Sequence, residues 1–272
     1  MESLWERAQN HILITAHGGY NSGLFNFNSM QGFEAAVHAG ADIIELDVSR
    51  SAEGTLFVFH PGTEKAMLGY DCDISKMTDE QILQLRNASS KLPIPTLDEA
   101  FETFKNRCFI NTDKAYSCFP ELVQCIRRHG IEEQIILKGE VRNRWIYDAT
   151  ESLAPDIPFL AVSYETDTAP EMCAGRNIRY VGSEVVFAAD GAPVTDPAYI
   201  EKMHREQKLL WVNPILFDFA RPLTGGHDDT VSMLGQPDQG WGWLVDKGYD
   251  ILQTDWVTDC ITYLKASQKY CR

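Results

Sequence analysis

Residues 39–60 read AGADIIELDVSRSAEGTLFVFH, and the fold turns on how the first half of that stretch is taken. The run 41–48 is short, apolar and β-branched. Gly40 bounds it on one side and the SAEGT turn (51–55) on the other, so it reads as a buried strand. Within it, Glu45 and Asp47 lie two residues apart and share one face, while Leu46 takes the other. Two bare carboxylates about 5–7 Å apart on a buried face would repel and raise each other's pKa. A divalent cation bound by both removes the conflict.

The same rhythm recurs along the chain. Strand-like runs fall at 11–17, 41–48, 108–113, 134–139, 158–164, 178–187, 209–215 and 250–255. Amphipathic stretches lie between them at 29–39, 97–106, 120–129, 142–153, 197–207 and 240–247. Gly40, Gly130 and Gly248 sit just past three of these, where helix C-caps are expected. Eight strand–helix units define an α/β chain of the (β/α)8 TIM-barrel kind. A doubly wound open sheet would need G-x-G-x-x-G after its first strand, and HGGYNSG (17–23) lacks that spacing. No linker divides residues 1–272, which read as one domain. One insertion interrupts it after the second strand, at about 61–96. PIPTLDEAF (93–101) then restarts the barrel, with Thr96 as N-cap and Glu99 three residues on.

The chain carries a formal net charge of −15. Such a surface repels nucleic-acid phosphates and anionic lipid. No run reaches the ~20 apolar residues that span a bilayer, so stable membrane insertion is not expected. MESLWERAQNHILIT at the N-terminus lacks a signal-peptide pattern. The seven cysteines are odd in number and none forms C-x-x-C, which points to reduced thiols and a cytoplasmic protein. An anionic substrate would need positive charge supplied locally.

Strand C-termini form the catalytic face of a barrel. His17 ends the first strand, His60 ends the extended piece after the second, and Asp113 ends the third. With Glu45 and Asp47 they give three carboxylates and two imidazoles at one end of adjacent strands. Oxygen-dominated ligation suits Mg²⁺ or Ca²⁺ over zinc. Each piece has a plainer reading: E-x-D as a salt-bridged pair, Asp113–Lys114 as a loop ion pair, a strand-end histidine as packing. Their common position makes the case.

This constellation resembles the glycerophosphodiester phosphodiesterase family over nearly the whole chain. AHGG (16–19), GADIIELDV (40–48), GTLFVFHP (54–61), PTLDEAF (95–101), NTDKA (111–115), the WGWL tetrapeptide (241–244) and GYDILQTDWVTDCITYL (248–264) carry the likeness. The resemblance implies metal-dependent hydrolysis of glycerophosphodiesters, small-molecule substrates, to sn-glycerol 3-phosphate and an alcohol. Glu45, Asp47 and Asp113 would hold the metal. His17 and His60 would act as general base and general acid. A glycerol hydroxyl would attack first, giving a cyclic phosphate that water opens.

Four positions depart from the family pattern. Gly18 stands for its arginine, Phe27 for the glutamate of its P-E-N-T turn, and Pro61 for an aspartate. Lys114 stands one residue early. Lys138, ending the fourth strand, is the substitute phosphate contact. Glu184, Trp211 and Asn213 are candidates for the leaving-group side, where an aromatic with an acid would suit a cationic head group. Two other functions stay open. One is a lysophospholipase D-like phosphodiesterase, with AMLGY (66–70) as an acyl-chain patch. The other is a catalytically impaired homologue that binds a phosphorylated ligand.

Overall fold

A computed structural model describes residues 2–272. All eight expected strands form, as β1 (Leu13–Ala16), β2 (Ile43–Arg50), β4 (Phe109–Asp113), β5 (Ile135–Glu140), β6 (Phe159–Tyr164), β7 (Tyr180–Val186), β8 (Leu209–Val212) and β9 (Ile251–Thr254). Each pairs in parallel with its neighbours, and β1 pairs with both β2 and β9, which closes the sheet into a barrel. The extended piece after β2 is β3 (Leu56–Val58), which folds back antiparallel on β2 and carries the chain toward His60.

The six expected helices appear as α2 (Met30–Ala39), α5 (Leu97–Phe104), α6 (Phe119–His129), α7 (Arg144–Leu153), α9 (Pro197–Arg205) and α11 (Trp241–Lys247). The Thr96–Glu99 capping box forms on α5, and Gly40, Gly130 and Gly248 adopt left-handed C-caps. Helices not foreseen are α1 (Leu4–Ala8), the short α8 (Ala169–Cys173) and α10 (Asp229–Met233), and the closing α12 (Val257–Ala266). The insertion holds α3 (Glu64–Leu68) and α4 (Asp79–Gln84). It packs on its own small core of Phe57, Phe59, Leu68, Ile74, Ile82, Leu85 and Ile94.

Alternation along the strands sorts the barrel interior into layers. Leu13, Ile43, Phe109, Ile136, Leu160, Leu209 and Ile251 form an apolar bottom, and Leu4 and Ala8 of α1 plug it. One step up, the inward positions turn polar: Thr15, Glu45, Asn111, Lys138, Glu184 and Gln253 are all buried. One further step brings His17, Asp47, Asp113, Glu140 and Asn213 to the mouth. The helices bury the outward faces in a second, larger core.

Candidate active site

The polar layers enclose a cavity of about 210 Å³. His17, Glu45, Asp47, His60, Asp113, Lys138, Glu184 and Asn213 all line it, so eight of the nine side chains expected at the site converge there. Register explains the convergence. Glu45 pairs across the sheet with Asn111, and Asp47 with Asp113.

The carboxylates are crowded and buried. Burial first, then the neighbouring Asp113 and Asp47, push Glu45 up to about 7 despite opposition from His17 and Lys138. Asp47 rises too, from burial first and then Asp113, against His60, Asn28 and Lys114. Burial also pushes Asp113 up, but Lys114 and Lys138 outweigh it, and its pKa is lowered. The Lys114 ammonium lies 3.0 Å from Asp113. Five carboxylates line the cavity, those of Glu45, Asp47, Asp113, Glu140 and Glu184, against two lysines. A phosphodiester anion would meet net negative charge there. Hard oxygen donors with uncompensated charge fit a divalent cation. Glu45 is meanwhile held by Gln253, whose Nε2 donates at 2.7 Å. The ligand oxygens of Glu45, Asp47 and Asp113 do not all lie within 4.8 Å of one another, so Glu45 and Asp113 would have to turn from these partners to share an ion with Asp47.

Each histidine has an orienting partner. His17 Nδ1 meets Asp255 Oδ1 at 2.8 Å, leaving Nε2 facing the cavity, 3.9 Å from Glu45. Burial lowers the His17 pKa, but the Asp255 hydrogen bond and the charges of Glu45, Asp255 and Asp47 outweigh it and raise it to about 9. His60 Nδ1 lies 2.9 Å from the carbonyl oxygen of Pro61. A carbonyl only accepts, so Nδ1 carries a proton and Nε2 is the free acceptor of the neutral ring.

Two expectations are corrected. Trp211 does not line the cavity: it is fully buried, its Nε1 donates to Asn213 at 2.8 Å, and the Lys138 ammonium lies 3.9 Å from its ring centre. The aromatic face proposed for a cationic head group is already occupied by the protein's own lysine. Lys138 is itself paired with Glu184 at 2.5 Å, and Glu184 also accepts from Asn213 at 2.6 Å. The AMLGY patch is the second correction. Leu68 belongs to the insertion's own core, and the void between it and residues 26–29 is about 30 Å³, room for one water and not for an acyl chain.

Three contributors were missed. Asn28 grips Asp47 twice, donating from Nδ2 to Oδ2 at 2.7 Å and accepting from the backbone N–H at 3.0 Å. The asparagine of the resembled turn was the available signal. Gln253 was visible as an inward position of β9. Asp229 gave no signal: it accepts from Trp241 Nε1 (2.7 Å), Thr254 Oγ1 (2.8 Å) and the backbone N–H of Asp255 (2.9 Å), and so fixes the loop that holds His17. The tetrapeptide at 241–244 thereby connects to the site. His227, outside it, stacks on Trp243 with ring centres 3.7 Å apart.

The profile of the glycerophosphoryl diester phosphodiesterase family matches residues 17–210, well over half the chain. The chain belongs to that family. A domain of unknown function also matches residues 160–264. A glycerophosphodiester phosphodiesterase of Arabidopsis thaliana is 31% identical over 212 residues, covering 72% of this chain and 62% of that protein. One from Caldanaerobacter subterraneus subsp. tengcongensis is 30% identical over 141 residues, covering 47% of this chain and 57% of that one. The chain therefore spans less than two thirds of these relatives' length. Among solved structures, a glycerophosphoryl diester phosphodiesterase from Parabacteroides distasonis superposes with a TM-score of 0.79 at 16% identity, covering 95% of this chain and 88% of that one. An Oleispira antarctica phosphodiesterase, solved in complex with its product sn-glycerol-3-phosphate, gives 0.68 at 15% identity, covering 93% and 96%. These two share the fold.

Within the family pattern, two of the departures touch each other. Gly18 has φ +57°, and a Cβ placed on it would lie 2.4 Å from Phe27 Cδ1. Phe27 fills the space where a residue-18 side chain would start, and its ring stands 5.0 Å from that of His17. Phe217 approaches His17 from another loop at 5.3 Å. Gly18, Phe27 and Phe217 together make an apolar flank beside His17.

Proposed function

We propose that this chain is a single-domain phosphoric diester hydrolase that converts glycerophosphodiesters to glycerol 3-phosphate and an alcohol. The observation that carries the reading is the convergence of His17 and His60 with Glu45, Asp47 and Asp113 on one cavity at the C-terminal mouth of the barrel. Mg²⁺ or Ca²⁺ held by the three acids would neutralise the non-bridging phosphate oxygens. His60, with Nε2 free, takes the proton of the attacking hydroxyl or water. His17, protonated between Asp255 and Glu45, returns one to the departing oxygen. That assignment reverses the order implied by the resemblance, and it rests on the ring partners. Asn28 and Gln253 position Asp47 and Glu45. Lys138, held by Glu184, puts one ammonium on the cavity floor for the phosphate.

No described helix is long and apolar enough to cross a membrane. None of the seven cysteines is joined in a disulfide.

A second reading has its own support. Phe27 and Phe217 flank His17, while Phe217 and Phe219 in one loop and Leu24 in another are largely exposed. A lysophospholipid would place its acyl chain on such a rim. The test is turnover of glycerophosphocholine, glycerophosphoethanolamine and lysophosphatidylcholine by the Mg²⁺- or Ca²⁺-loaded protein. Glycerol 3-phosphate release that is lost in His17→Ala and with chelator supports the first reading. Turnover of the lyso-lipid alone supports the second. No turnover of any of the three removes both.

A further inference from the structure

Outside the cavity, α5 and α6 bring a second set of ligand atoms together on the barrel's outer surface. Cys125 and His129 lie one turn apart on one face of α6, and Asp98 faces them from the first turn of α5. Among the described residues, these three form the group of histidine, cysteine and acidic ligand atoms gathered within 4.8 Å of one another. His129 Nε2 lies 2.6 Å from Asp98 Oδ1, and Cys125 Sγ lies 3.7 Å from the same oxygen. On the other side of the ring, His129 Nδ1 is 3.7 Å from the Glu102 carboxylate. Phe101 packs edge-on against the imidazole. This set is independent of the catalytic cavity, none of whose lining residues is a cysteine.

From these distances we infer that Asp98, Cys125 and His129 form a binding site for a thiophilic divalent ion of the zinc class, clamping α5 to α6. Tetrahedral zinc bonds of about 2.0–2.3 Å set ligand atoms roughly 3.3–3.8 Å apart. The Sγ–Oδ1 spacing already fits. The Nε2–Oδ1 contact is a hydrogen bond that opens by less than an ångström when the ion replaces its proton. Glu102 then accepts from Nδ1–H, the carboxylate–histidine–metal arrangement that fixes the tautomer. The Arg128 guanidinium now bridges Asp98 (2.6 Å) and Cys125 Sγ (3.5 Å), so a cation already answers this pair of atoms. Its side chain is largely exposed and free to swing away. Binding converts Cys125–SH to a metal-bound thiolate and releases that proton to solvent, while the neutral His129 ring exchanges its proton from Nε2 to Nδ1, on the Glu102 side. The donor set separates this site from the hard-ion cavity: thiolate and imidazole select zinc-like ions, and clustered carboxylates select Mg²⁺ or Ca²⁺.

The clamp would join the helices that precede and follow β4, the strand that ends in Asp113. Cobalt(II) tests it, because a thiolate ligand gives a sulfur-to-cobalt charge-transfer absorption that oxygen ligands cannot produce. The intact chain, first saturated with Mg²⁺, is titrated with Co²⁺ and separately with Zn²⁺. The expected result is one equivalent of charge-transfer band, abolished in both Cys125→Ser and His129→Gln. Zn²⁺ at 100 times its Kd should raise Tm by about 5–10 °C in the wild type and not in either variant. Circular dichroism confirms that the variants are folded, and His129→Gln, at a ring that is mostly buried but not fully so, provides a second variant should Cys125→Ser fold poorly. Absence of the band in the wild type, or its retention in either variant, overturns the site.

Discussion

Gly18 and Phe27 compete for the same space, and that makes their substitutions coupled. A β-carbon at residue 18 would meet both a left-handed backbone and the Phe27 ring. Gly18→Ala should therefore destabilise the protein by about 1–3 kcal/mol, from strain and overpacking together. In a Phe27→Ala background the overpacking part disappears, and chemical denaturation of the four proteins should give a coupling energy clearly different from zero. Additive losses would mean that the ring yields freely. At His17 the test is a pH profile. This histidine must be protonated to deliver a proton, so its deprotonation sets where activity falls on the alkaline side; in the metal-free protein its pKa is raised to about 9. Burial works against that value, and the hydrogen bond His17 donates to Asp255 is the main influence raising it. Asp255→Asn removes the bond's charge, so the alkaline limb of kcat/KM should move about 1 unit or more toward lower pH. An unmoved limb would assign it to another group.

At the scale of elements, the loop after β9 shows how a distant helix steadies the chemistry. Asp229 on α10 accepts three hydrogen bonds, one of them from the backbone of Asp255. Asp229→Asn keeps the shape but turns an amide donor toward one of those three donors. Asp255 should shift and loosen its hold on His17. The expected outcome is a kcat lowered about tenfold with KM nearly unchanged, since no contact with the bound substrate is lost. A rise in KM with kcat intact would point to a pocket role instead. Asp229 also marks the limit of what the sequence discloses. Residues carried by strands were legible, because alternation decides which of them point inward and parallel order decides which ends meet. Glu45, Asp47, Asp113 and Lys138 were read by that rule, and Gln253, which obeys it as well, was passed over. Depth was not legible: Trp211 has inward parity, yet it lies beneath Lys138, and parity alone cannot rank two inward residues by height. Nor was a bond between Asp229 and a backbone 26 residues away, since loops carry no period to count. Among helices, six amphipathic ones were read but the ten-residue α12 was not, and α1 gains its stability from plugging the barrel floor, a contact that its five residues do not announce.

For the molecule as a whole, the crowded mouth predicts how stability responds to pH and to metal. Glu45 is raised from 4.5 to about 7, chiefly by burial, and Asp47 is raised as well. A group whose folded pKa exceeds its unfolded value contributes stability that is complete below the unfolded value and is lost as pH climbs through the folded one. The chelated protein should thus lose about 2–3 kcal/mol between pH 4.5 and 7 from Glu45 alone, at about 1.4 kcal/mol per unit. His17, raised from 6.5 to about 9, extends the decline further upward. A dication reverses the sign of the problem, because it binds the ionised carboxylates that the empty fold disfavours. At pH 5 it must displace the Glu45 proton, and at pH 8 it need not. Scanning calorimetry with millimolar Mg²⁺ or Ca²⁺ against chelator should accordingly show a Tm gain that is larger at pH 8 than at pH 5. Glu45→Gln should flatten the decline of the chelated protein and shrink the metal-dependent gain together. If the gain is equal at both pH values, or survives intact in Glu45→Gln, then the three acids do not share an ion, and their burial must be compensated by His17, Asn28, Lys114, Lys138 and Gln253.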